Sequence, residues 1–164
     1  MPMNATTLRH AAMLVAAIII TNLAGIIGSL FTAPNIPVWY AGLEKSSLNP
    51  PSWVFAPVWT ILFILMGISL YLFWREGLER PAVRIAIVAF AVQLVLNTLW
   101  SILFFGLRSP FLALIEIVIL WVAIAATIWL GYRVSRPAAY LLVPYILWVS
   151  FAAYLNWTIW VLNP

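Results

Sequence analysis

The chain has no cysteine and no aspartate, and its 164 residues include one histidine and four acidic residues. Without thiols it can form no disulfide, no thiolate metal site and no cysteine nucleophile. A lone histidine and scattered carboxylates also exclude most metal sites, catalytic triads and paired-carboxylate mechanisms. The sequence has no glycine-rich phosphate loop either. We therefore expect no metal, no required cofactor and no conventional acid–base or nucleophilic catalysis.

Charged residues are scarce in the sequence, and apolar residues are unusually frequent. Charged residues make up 7% of the chain and hydrophobic residues 66%, where soluble domains have about 25% and roughly 45–50%. Five apolar stretches each approach or exceed the ~20 residues that a spanning helix needs. The first is longer than the roughly 7 to 15 residues of a signal-peptide core, so we interpret it as a retained helix. The sequence predicts an all-α membrane protein: a five-transmembrane-helix bundle in one domain over residues 1–164, with helices at 8–31, 52–74, 82–105, 110–131 and 138–162.

The basic residues alternate between the two ends of the predicted bundle. Two of them, Lys45 and Arg108, fall at one end. The others fall at the opposite end: Arg9, Arg75, Arg80, Arg84, Arg133 and Arg136. By the positive-inside rule this bias predicts an integral multi-pass protein with a cytoplasmic N-terminus and an outward C-terminus. Because the basic residues form no cluster, they indicate topology, and we expect no nucleic acid partner.

The link at residues 32–51 is the only long one, and it is rich in proline and aromatic residues. Loops of this length are uncommon unless they have a function. Two interpretations stay open. The link is either a stiff connector with interfacial aromatics or a lid over the helices.

Polar and aromatic side chains recur at one depth beneath this link. Trp59 and Trp100 are expected roughly 8 to 11 Å below the outward face, deeper than an interfacial belt. Asn97, Glu116 and Asn156 are expected at roughly 9 to 12 Å. These groups either line a pocket or form interhelical hydrogen bonds that only fix packing. Helical spacing places one set on a shared face that should point inward: Gln93, Asn97, Trp100 and Phe104.

Two prolines and several small residues bear on helix packing. Pro57 and Pro144 lie inside predicted spans, where each should remove a ladder hydrogen bond and bend its helix. Small residues at four-residue spacing, such as Gly25 with Ser29, allow close helix approach within the chain or, alternatively, across a dimer.

Several motifs together resemble the tryptophan-rich sensory protein, or translocator protein, family (TspO), which is related to the peripheral benzodiazepine receptor. The resemblance covers Trp39 through the last span. The residues that carry it are Trp39-Tyr40-Ala41-Gly42-Leu43-Glu44-Lys45, Pro50-Pro51, Pro57-Val58-Trp59, Asn97 to Trp100, Val143-Pro144-Tyr145 through Trp148, Phe151-Ala152 and Leu155-Asn156-Trp157.

The resemblance implies a homodimeric five-helix bundle with a pocket under the first loop. Such a pocket takes tetrapyrroles, with protoporphyrin IX or haem as the expected ligand, and isoquinoline or benzodiazepine drugs. Matched by motif, the ligand-binding residues are Tyr40, Pro50 and Pro51 in the lid region and Trp59, Phe63, Asn97, Trp100, Trp148 and Ala152 in the pocket. Membrane lipid is the other expected partner.

The leading functional hypothesis is a membrane binding and sensory protein. One alternative is light-dependent porphyrin degradation, which the resemblance would assign to Trp59 and Trp148 as the reactive pair. Another is transport of porphyrin or similar lipophilic molecules. Animal members carry a cholesterol-recognition stretch with a basic residue in the last helix, and Leu155 to Trp160 has none. We therefore expect no sterol binding by that motif and a prokaryotic source.

Overall fold

The computed structural model describes residues 4–164. Within that range it contains no strand and five helical segments that are long and apolar enough to cross a membrane. Their bounds are Ala5–Thr32, Ser52–Trp74, Pro81–Gly106, Pro110–Tyr132 and Arg136–Leu162. The all-α, five-span prediction is therefore confirmed, and each predicted boundary agrees to within three residues. The chain is an integral, multi-pass membrane protein.

Six α-helices make up these segments, because the fifth is divided. They are α1 (Ala5–Thr32), α2 (Phe55–Trp74), α3 (Pro81–Ser101), α4 (Pro110–Tyr132), α5 (Arg136–Leu141) and α6 (Val143–Leu162). Local chemistry sets several of the starts. The Ser109 hydroxyl accepts a hydrogen bond from the Leu112 amide and caps α4. Proline occupies the first position of α3 and of α4, where a helix needs no amide hydrogen.

The two intramembrane prolines behave differently. Pro144 follows the break at Leu142 that separates α5 from α6, so the predicted bend in the last span is present. Pro57 instead lies in the first turn of α2, after a short 3₁₀ turn at Ser52–Val54. The prediction that Pro57 bends a helix from its interior is wrong, because amides in a first turn have no intrahelical acceptor to lose.

A π-helical turn, Ile102–Gly106, continues α3 toward the end of the bundle that carries the first loop. A π turn holds more residues than the 3.6 of an α turn, so successive side chains are rotated by a smaller angle. Phe104 and Phe105 are neighbours in sequence, yet they are only 2% and 7% exposed. The wider turn thus helps to direct two adjacent aromatic rings into the bundle.

Close packing of α1 on α2 uses small residues. Gly67 of α2 lies so near α1 that a Cβ there would be 2.7 Å from the Ile18 Cα, and Gly25 of α1 faces the Phe63 ring. The Thr21 hydroxyl donates to the Phe63 carbonyl oxygen at 2.8 Å and joins the two helices. Gly25 and Gly67 therefore serve packing within the chain.

Candidate ligand-binding site

A cavity of about 390 Å³ lies between α1, α2, α3 and α6, beneath the loop that joins α1 to α2. Seven of the nine predicted site residues line it: Tyr40, Trp59, Phe63, Asn97, Trp100, Trp148 and Ala152. Pro50 and Pro51 are not among the lining residues and lie in the loop just before α2. The loop contributes Ala33, Ile36 and Tyr40 to the lining and not this proline pair.

Indole rings from three helices meet in the cavity wall. Trp59 comes from α2, Trp100 from α3 and Trp148 from α6. Trp100 stacks on Phe104 with ring centroids 5.0 Å apart and planes 20° apart. Trp59 lies 5.6 Å from the Phe63 ring. The wall is thus broad, aromatic and contributed by segments far apart in sequence.

Hydrogen bonds fix the orientation of Trp100. Its indole N–H donates to the Asn156 amide oxygen at 3.0 Å, and the Asn156 amide nitrogen donates to the Pro110 carbonyl oxygen at 2.8 Å. This chain joins α3, α6 and the start of α4. Asn156 is only 1% exposed, so the network is shielded from competing solvent.

Asn97 bonds across the bundle while also lining the cavity. Its amide nitrogen donates to the Tyr145 hydroxyl at 3.0 Å, and both residues are buried. The Asn97 amide oxygen has no partner among the described residues. The two sequence interpretations of this residue are therefore compatible, since one end of the amide fixes packing and the other end can accept a hydrogen bond.

Tyr40 covers the side of the cavity that faces the first loop. Its ring is 6% exposed and lies 5.7 Å from the Phe105 ring. The Tyr40 hydroxyl donates to the Asn49 amide oxygen at 2.9 Å, and the Lys45 ammonium lies 4.9 Å from the ring centroid. Burial raises the pKa of Tyr40, so the phenol stays neutral over the physiological range.

Contacts with distant parts of the chain hold the loop in place. Asn163, after α6, accepts from the Glu44 amide and donates to the Glu44 carbonyl oxygen, both at 3.0 Å. On the other side, Arg108 donates to the Asn35 amide oxygen at 3.1 Å. Of the two sequence interpretations of the link, this anchored cover over a cavity fits the lid better than the plain connector.

The cavity also reaches the lipid-facing surface between α1 and α2. Several lining residues are themselves exposed on that side: Ile26, Ser29, Ala56 and Thr60. The sequence-based site contained no residue of α1, although α1 supplies Asn22, Gly25 and Ser29 to the lining. The available signal is the row of small residues in α1, which the sequence associates with close helix packing within the chain or across a dimer.

Two buried polar residues of the same region do not reach the cavity. Gln93 is 1% exposed and Glu116 is 4% exposed, and their side-chain polar atoms have no hydrogen-bond partner among residues 4–164. Trp121 does not line the cavity either. It is 41% exposed, and its indole N–H donates a hydrogen bond to the Ser150 hydroxyl on the outer surface of the bundle. Among the described residues, no group of three or more potential metal ligands is close enough to hold an ion.

Comparison with known proteins gives a consistent result. The sequence profile of the TspO/MBR family matches residues 17–161. The chain is 51% identical over 140 residues to the tryptophan-rich protein TspO of Chlorobaculum tepidum, covering 85% of this chain and 89% of that protein. It is 45% identical to the protein of the same name from Archaeoglobus fulgidus, and the match covers 92% of this chain and 96% of that protein. It is 38% identical to the translocator protein of Bos taurus, covering 87% and 85%.

The profile match extends from α1 nearly to the end of α6 and therefore includes all four helices and the loop that form the cavity. The resemblance drawn from the tryptophan-rich motifs is confirmed. The chain belongs to the TspO/MBR family.

Proposed function

We propose that the cavity beneath the first loop binds flat, lipophilic molecules of the tetrapyrrole class, such as protoporphyrin IX or haem. The observation that carries this proposal is the meeting of Trp59, Trp100 and Trp148 in the wall of one cavity. Indole rings offer large apolar faces that favour stacking on a planar conjugated ligand.

The size and openness of the cavity support a ligand of this kind. A volume of about 390 Å³ lies within the usual range of roughly 300–1,000 Å³ for small-molecule sites. Because the cavity continues to the surface between α1 and α2, a macrocycle larger than the enclosed space can extend toward the lipid. A lipophilic ligand dissolved in the membrane would have direct access to this side.

A few polar groups in the wall can orient the ligand. The Asn97 amide oxygen is free to accept a hydrogen bond, and Ser101 also lies among the lining residues. A mostly apolar pocket with a small number of such groups is typical of specific ligand sites.

The test is a titration of the purified protein with protoporphyrin IX, followed by quenching of tryptophan fluorescence. Micromolar affinity corresponds to about 8 kcal/mol, which two aromatic walls can support. Aromatic contacts contribute about 0.5–1.5 kcal/mol each, so replacing Trp59 and Trp148 by Leu should weaken binding by roughly 5- to 100-fold.

A matched variant controls for the loss of two indoles. Trp157 and Trp160 are 48% and 39% exposed and do not line the cavity, so their replacement by Leu should leave the affinity unchanged. Equal affinities of the two double variants would show that the assigned cavity is wrong.

The same preparation separates the two alternative functions. Under illumination, a new stoichiometric product that requires Trp59 and Trp148 would favour porphyrin degradation. Uptake of porphyrin into vesicles containing the protein would favour transport. The homodimer and the cytoplasmic N-terminus remain predictions, the latter supported by the six arginines at one end of the bundle.

A further inference from the structure

A second recess lies on the outer surface at the opposite end of the bundle from the first loop. It is a groove of about 350 Å³ between the last turns of α4 and the start of α6. Its lining residues are Ala125, Ile128, Trp129, Tyr132, Arg133 and Ile146. The lining residues deeper in the membrane are apolar. The one charged lining residue is Arg133, which directly follows α4.

One guanidinium group, that of Arg133, lines this groove, and a second, that of Arg136, contacts the lining residue Tyr132. Arg133 lies over the Trp129 ring, 4.2 Å from its centroid, and Arg136 lies over the Tyr132 ring at 5.1 Å. Stacking uses the flat face of a guanidinium and leaves its in-plane N–H donors available. The aromatic rings of the groove therefore hold both guanidinium groups at its Arg133 end.

Neither arginine has an anionic partner in the part of the chain that the structure describes. In residues 4–164 the ion pairs are those that Glu76 forms with Arg75 and Arg80, in the link between α2 and α3. The charges of Arg133 and Arg136 are thus uncompensated, while those of two other arginines at the same end of the bundle are partly neutralised.

We propose that this groove binds one anionic phospholipid, with the phosphate between Arg133 and Arg136 and an acyl chain along the apolar part. Phosphate oxygens match the fork of N–H donors that a guanidinium presents. Ala125 is eight residues before Arg133, so the groove extends roughly 12 Å into the membrane from the arginines, as an acyl chain would. This length of apolar surface next to the charges favours a lipid over free phosphate.

The position along the membrane normal agrees with this ligand. The groove lies at the end that carries six of the eight basic residues, which the positive-inside rule assigns to the cytoplasmic leaflet. Anionic lipids give that leaflet its negative surface potential.

The experiment is native mass spectrometry of the detergent-purified protein titrated with phosphatidylglycerol and, separately, with phosphatidylcholine. We expect one phosphatidylglycerol to bind more tightly than phosphatidylcholine. Because each basic residue near a membrane surface contributes about 1 kcal/mol, the double variant R133Q/R136Q should weaken phosphatidylglycerol binding by roughly thirtyfold. Binding of phosphatidylcholine, whose phosphate charge is offset by its choline group, should be weakened less.

The control removes two charges from the same end of the bundle. Arg9 and Arg84 are exposed, lie outside the groove and form no ion pair within the described chain. The variant R9Q/R84Q should therefore keep the wild-type affinity. An equal loss in both double variants would overturn the proposal, since it would indicate general electrostatic attraction to the surface.

A second pair of variants tests the apolar part without changing charge. Replacing Ala125 by Leu fills the groove and should weaken phosphatidylglycerol binding, whereas replacing the exposed neighbour Ala126 by Leu should not. If A125L binds the lipid as tightly as the wild type, the groove does not hold the acyl chain and the proposal fails.

Discussion

The bond between Trp100 and Asn156 offers a direct test of what holds the aromatic wall together. Asn156 accepts from the Trp100 indole N–H at 3.0 Å and donates to the Pro110 carbonyl oxygen at 2.8 Å. Replacing Asn156 by Leu keeps a side chain of similar size and removes both bonds. We expect a loss of stability that arises mainly from the unpaired indole N–H.

The size of this loss follows from the two bonds. Interhelical hydrogen bonds in membranes contribute about 0.6 kcal/mol on average and at most about 1.7 kcal/mol, so two bonds give about 1.2 kcal/mol with a ceiling near 3.4 kcal/mol. The Pro110 carbonyl oxygen is in the first turn of α4, where it can also accept a hydrogen bond from a backbone amide of the helix. We therefore expect about 1–2 kcal/mol, most of it from Trp100.

Reversible unfolding in mixed micelles of increasing SDS content, followed by far-UV circular dichroism, measures this loss. A double-mutant cycle with Trp100→Phe should give a coupling energy of about 0.6 kcal/mol or more. The exposed Trp157→Phe serves as a control that should cost less than about 0.5 kcal/mol. A coupling energy indistinguishable from zero would refute the reasoning, because the bond would then contribute nothing to the position of the indole.

Three further predictions concern the packing and the loop. Gly25→Ala places a methyl group against the Phe63 ring and should destabilise the fold by about 1–3 kcal/mol in the same assay, while Gly42→Ala, with open space around its Cβ, should be neutral. Asn163→Ala removes both bonds to the loop and should speed hydrogen exchange of the loop amides measured by mass spectrometry; unchanged exchange would contradict an anchoring role. Because burial raises the pKa of Tyr40 above its usual 10.0, the native state binds this proton more tightly than the unfolded state, and stability should fall as the pH rises beyond about 10. Tyr40→Phe should reduce that fall, and an identical pH profile for the variant would rule out Tyr40 as its source.

The helices and the depths of their side chains could be predicted from the sequence because both depend on distances along one helix, whereas the set of residues that share the cavity came from the family resemblance. A rise of 1.5 Å per residue was enough to place Trp59 and Trp100 at the same depth. The contribution of α1 could not be predicted in this way, since small residues such as Gly25 and Ser29 are typical of close helix packing and do not by themselves indicate a cavity. The contact of Asn163 with the loop joins residues 119 positions apart, and no periodicity reports such a pairing.

The widened turn at Ile102–Gly106 has a consequence for how this wall could change during evolution. A π turn is equivalent to one additional residue in an α-helix. Deleting a single residue there would restore regular winding and rotate the aromatic pair, Phe104 and Phe105, by about 100° relative to the helix below it. Substitutions elsewhere in the cavity change its wall one side chain at a time. The loss of one codon at this point would instead separate Trp100 from Phe104, the ring on which it stacks.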